Sequence, residues 1–128
     1  MKKELELALV QDFPDLFREY KRPQTAMMFG CEHGDGWEPI LRRMCERLEV
    51  TKQHVTLLQV KEKWGTLRVY WQGGDEKVAE IVHAAEDESM SVCELCGNVG
   101  RVRDTGWIVT RCDDCMLPKR APEQACAD

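Results

Sequence analysis

No apolar run in this chain of 128 residues approaches the roughly 18 residues that a membrane-spanning helix requires. A secretory leader is not expected either. The opening MKKELELALVQD starts with positive charge but then alternates glutamate with leucine, and the apolar core of a leader would not carry those carboxylates. These two absences lead us to expect a cytoplasmic protein with no membrane partner. Positive charge is also short: 18 Lys and Arg against 23 Asp and Glu give a net charge of −5. That balance argues against broad binding to a phosphate backbone, which depends on clustered Lys and Arg, although a local basic patch stays open. There is no internal repeat. No nucleophile stands beside both a base and an orienting partner in the way covalent catalysis needs, so no catalytic residue is assigned.

What is present fits one ordinary domain with a small appendage. A hydrophobic fraction of 43% and a charged fraction of 32% are those of a soluble globular chain. At this length it can bury roughly two thirds of the surface exposed when unfolded. Leu5 to Val10 form a short apolar helix, interrupted by Asp12-Phe13-Pro14-Asp15. Pro14 suits the first turn of a second helix, with Leu16, Phe17 and Tyr20 on one side, ending near Lys21-Arg22-Pro23. Pro23 to Phe29 reads as extended or irregular.

Asp35 is a good N-cap, with Glu38 three residues on as in a capping box. The helix that follows carries Trp37, Ile40, Leu41, Met44, Cys45 and Leu48 on one apolar face. Val55 to Glu62 and Leu67 to Trp71 form a β-hairpin, with KWGT as the turn and Gly65 able to take positive φ. Gly73-Gly74 ends it. Asp75 caps a helix to about Glu88 with Val78, Ile81, Val82 and Ala85 inward.

The strongest chemical signal lies in CELCGNVGRVRDTGWIVTRCDDC. Two C-x-x-C pairs are separated by fifteen residues. Cys93, Cys96, Cys112 and Cys115 match the spacing of a structural four-thiolate zinc site. Between the pairs, Val99 to Arg103 and Trp107 to Arg111 read as strands about an Asp104-Thr105-Gly106 turn, which together make a zinc ribbon. Four thiolates close the metal's shell, so Zn2+ here is structural rather than catalytic. The chain has seven cysteines. In a reducing compartment, clustered cysteines favour metal over disulfides. The expected division is an α+β core over 1–92, a ribbon packed on it over 93–117 and a flexible tail over 118–128.

Other residues carry weaker signals. FGCEHGDGWEPIL packs Cys31, His33, Asp35 and Trp37 around two glycines. It is a nucleophile or second metal site on the sharper reading. On the plainer one it is a tight turn feeding a capped helix that Trp37 locks to the core. Lys61, Lys63 and Arg68 flank the hairpin turn beside Trp64 and Tyr70. Basic residues interleaved with aromatics can make a nucleic-acid platform, but a solvated strand face is the plainer reading. Arg101, Arg103, Arg111, Lys119 and Arg120 lie in or near the ribbon, and zinc ribbons often touch DNA or RNA. Glu86-Asp87-Glu88 sits unfavourably for the macrodipole at a helix C-terminus.

In order, these motifs resemble a family of small proteins of tailed phages and bacterial prophages. That pattern runs F-P, G-D-G-W, V-K-E-K-aromatic-G-x-L-R, E-x-S, C-x-x-C-G and C-x-x-C. Here it falls on Phe13-Pro14, Gly34 to Trp37, Val60 to Arg68, Glu88-Ser89 after Glu86, Cys93 to Gly97 and Cys112 to Cys115. Relatives often place a cysteine directly before G-D-G-W; this chain has His33 there and Cys31 two residues earlier. The resemblance implies a phage or prophage accessory protein acting inside the bacterial host. Its expected mode is non-enzymatic binding, plausibly inhibition, of a host or defence-system protein. A zinc-ribbon regulator that binds nucleic acid, and an enzyme using Cys31, His33 or Asp35, are the alternatives.

Overall fold

A computed structural model describes residues 1–117; the tail expected over 118–128, with Lys119 and Arg120, lies outside the described residues. Helix α1 spans Lys3–Asp12. Its buried residues are Leu9 and, unexpectedly, Glu6, while Leu7 is exposed. Glu6 goes inward because its carboxylate has work there: Oε1 accepts from the Cys31 N–H at 2.7 Å, and Oε2 accepts from the Tyr20 hydroxyl. A buried carboxylate is tolerated when its oxygens are so occupied.

The second helix expected after Pro14 does not form. Residues 14–21 are a run of turns. Their bonds include Tyr20 N–H to Phe17 O and Arg22 N–H to Glu19 O, and Lys21 takes φ +60°. Between Pro14 and that left-handed residue there are too few positions to offset helix nucleation. Leu16 and Phe17 still reach the core. The irregular stretch that follows holds a single 3-10 turn, Ala26–Phe29, with the Thr25 hydroxyl accepting from Met27 N–H.

Strand β1, Cys31–Glu32, pairs parallel with β2, Thr56–Lys63, and β2 pairs antiparallel with β3, Thr66–Gln72. The sheet therefore has three strands in the order β1-β2-β3. Helix α2, Glu38–Val50, and helix α3, Glu76–Glu88, complete the α+β core. Asp75 caps α3 through Lys77 N–H as the sequence suggests. At α2 the expected capping box is absent. Asp35 instead starts a 3-10 turn over Asp35–Trp37 and accepts from Lys2 N–H at 2.6 Å, while Glu38 pairs with Arg42. The core gathers Trp37, Leu41, Met44, Leu48, Leu57, Val60, Leu67, Val78 and Val82, with Cys45 buried among them.

The acidic end of α3 also finds its reason. Edge strand β3 would present bare N–H groups. Glu86 Oε2 accepts from Val69 N–H at 2.9 Å, and the Ser89 hydroxyl accepts from Leu67 N–H at 2.9 Å. Glu88 pairs with Arg43 of α2. Side chains at the end of α3 and just beyond it thus take the place of a fourth strand, one way to protect a sheet edge. Among the described residues, no helix is long and apolar enough to cross a membrane.

Candidate metal centre

Strands β4, Arg101–Asp104, and β5, Ile108–Arg111, form the second hairpin, shorter than expected because Val99 makes only an isolated bridge to Val92. The two C-x-x-C pairs lie at its open end. The ligand atoms of Cys93, Cys96, Cys112 and Cys115 lie within 4.8 Å of one another, a group able to hold a metal ion. Gly97, at φ +86°, lets the chain reverse after the first pair, and Gly97 N–H bonds back to Cys93 O at 2.9 Å. Asn98 N–H points at Cys96 Sγ, 3.5 Å away.

The charges of the cluster suit a cation. Burial alone would raise the Cys93 thiol, but N–H groups of Cys112, Cys96 and Leu95 outweigh it and hold it below its ordinary value. Cys115 is pushed up to about 12, by burial first and then by the neighbouring Cys93 sulfur. Four sulfurs this close cannot all ionise unless a positive charge sits among them. The ribbon's own buried cluster is Cys93 and Cys115, with Leu95, Cys96 and Cys112 packed alongside.

The stretch around Gly34-Asp35-Gly36-Trp37 turns out to be the seat of this centre. Gly36 N–H donates to Glu94 O at 2.7 Å, Gly34 N–H to Glu94 Oε2 at 3.0 Å, and Trp37 Nε1 to Val92 O at 2.8 Å. The approach leaves no room for side chains. A Cβ on Gly36 would stand 2.0 Å from Cys93 O and 2.6 Å from Gly97 N, and one on Gly34 would stand 2.4 Å from Glu94 O. Trp37 is fully buried and thus ties the cysteine turn to the core. The other face of the ribbon rests on the β2–β3 turn, where the Thr110 hydroxyl donates to Gly65 O at 2.6 Å.

The remaining sequence candidates scatter. Cys31 lies on β1, buried, with its thiol pushed up to about 12 by burial and then by Glu6. A thiol so protonated supplies no thiolate near neutral pH. His33, 5% exposed, is lowered to about 4 by burial. Its Nδ1 lies 2.9 Å from Gly34 O, and Nε2 is buried without a partner among the described residues. Asp35 is spent on Lys2. Lys63, Trp64 and Arg68 are exposed at and beside the β2–β3 turn. Arg101 and Arg103 pair with Asp113, and Arg103 Nε donates to Arg111 O. Sequence reasoning missed the cleft between the two hairpin turns, of about 340 Å³, whose walls include Trp64 and Trp107. Its one signal was a tryptophan in each turn.

No family model, curated protein or solved structure matches the chain.

Proposed function

We propose that this chain is a non-enzymatic recognition protein whose C-terminal ribbon is built on structural Zn2+, and that it serves a phage or prophage by binding and inhibiting a host or defence-system protein in the bacterial cytoplasm. Zinc is the ion because four thiolates around a tight turn suit a borderline-soft, redox-inactive, tetrahedral metal. The observation that carries the recognition role is the exposure of tryptophans at both hairpin ends, Trp64 at 67% and Trp107 at 74%. Large aromatics are enriched at protein interfaces, where they supply area with little entropy to lose. The thiol and imidazole that chemistry would recruit are buried instead.

Capture from bacterial lysate with tagged, reduced, zinc-loaded protein tests this reading. A specific protein should be retained by the wild type and lost with Trp107→Ala. Identical captures by both proteins, or none by either, would overturn it. The sheet's outward face favours a second reading. Lys61 and Arg68 are cross-strand partners there, and Tyr70 beside them is exposed, a small platform for single-stranded nucleic acid. A gel shift that weakens steeply with salt would support that alternative, and no shift at low salt would eliminate it.

A further inference from the structure

Trp64 and Gly65 form a two-residue hairpin turn with φ of +55° and +80°. This geometry favours Asn or Asp before Gly, and a bulky residue in the left-handed region is strained. The local rule is broken without a packing gain, because the indole stays in solvent. Trp107 closes the other hairpin's turn just after Gly106, which takes φ +87°. The two indoles, with Ile108, give the cleft apolar walls, and Glu62 and Asp104 also line it. Each carboxylate is half used: Glu62 Oε2 accepts from Gly65 N–H at 2.7 Å, and Asp104 Oδ1 accepts from Gly106 N–H at 3.2 Å. Lys63 is the single cation in the lining among the described residues.

We infer that this cleft takes an arginine side chain of the partner protein. The inference rests on the recognition reading above and adds the chemistry of the guest. A guanidinium is a plane that stacks on indole faces and donates from its edge to carboxylates, which matches two tryptophans and two half-free acids. Lysine fits less well, since its ammonium is a strongly hydrated point charge. A nucleobase meets two carboxylates and one lysine, and the phosphates it brings would meet a chain of net charge −5.

The test uses the reduced, zinc-loaded chain labelled with fluorotryptophan, so that fluorine spectra report the four indoles separately. The probes are a capped Gly-Arg-Gly peptide, its citrulline counterpart of the same shape without charge, and a short oligothymidine. The Trp64 and Trp107 signals should move with the arginine peptide while Trp37 stays still. Citrulline should bind at least threefold more weakly, and Asp104→Asn should weaken arginine about three- to tenfold. Trp64→Asn keeps a turn-compatible residue, so its loss of response is not misfolding. Equal response to citrulline, response to oligothymidine alone, or no response would each overturn the inference. If any of these occurs while Trp107-dependent partner capture persists, the guest is wrong and the recognition reading stands; loss of capture as well removes both.

Discussion

Replacing Gly36 by alanine probes the joint between core and ribbon directly. The added Cβ would stand 2.0 Å from Cys93 O, 2.6 Å from Gly97 N and 2.7 Å from Glu94 C. All three are backbone atoms, so no side chain can rotate away. Relief requires the cysteine turn to retreat by more than an ångström, and that breaks the 2.7 Å bond from Gly36 N–H to Glu94 O. Overpacking costs about 1–3 kcal/mol and the hydrogen bond about 1 kcal/mol, for a loss of about 2–4 kcal/mol. Gly36 is not among the residues with positive φ, so the cost is steric and does not come from backbone strain. If the seated ribbon exists only with metal bound, the whole loss falls on the metal. Zinc affinity should then drop roughly 30- to 1,000-fold. Competition against a chromophoric chelator on the reduced protein measures the affinity, and urea melts with and without chelator measure the stability. Gly106→Ala is the control: among the described residues nothing lies within 4 Å of its Cβ, so it should cost only the left-handed strain, roughly 1 kcal/mol. Unchanged zinc affinity in Gly36→Ala would refute the seat. An equal loss of stability in the metal-free chain would refute its coupling to the metal.

Other outcomes follow from the same contacts. Chelating the reduced, zinc-loaded chain should abolish hydrogen-exchange protection in 93–117 before that of β2 and α3, because the ribbon's cluster is mostly sulfur. Ser89→Ala should cost about 1–3 kcal/mol in urea melts, since it strands the Leu67 N–H that Ser89 accepts. Trp64→Asn should raise stability by about 0.5–1 kcal/mol while weakening partner capture, as the left-handed turn position prefers Asn. His33 makes stability fall on acidification. Burial lowers its folded value to about 4 from an ordinary 6.5, so the unfolded chain takes the proton first. The stability it contributes is whole above 6.5, is lost as pH falls toward 4, and amounts to about 3 kcal/mol. The difference between wild type and His33→Gln across that window isolates the effect; parallel pH profiles would contradict it.

Local rules were enough for much of this chain. Periodicity placed α2, α3 and the β2–β3 hairpin to within a residue or two, because each carries its own apolar face, and the hairpin and α3 their own turn and cap. Spacing alone singled out the four clustered cysteines, since a tight turn holds each pair together and a short hairpin joins the pairs. The failures came where a residue's partner lies far along the chain. Glu6 is buried by a bond to Cys31, and Glu86 faces an edge strand seventeen residues earlier. The Gly34-to-Trp37 stretch, which invited a catalytic reading, is a docking surface for a segment about sixty residues downstream. Residue identity settled which groups could bind metal and which elements could form. Only the assembled fold decided what Gly36 must leave room for and which two tryptophans share a cleft, because close approach between distant backbones leaves no periodic mark on either one.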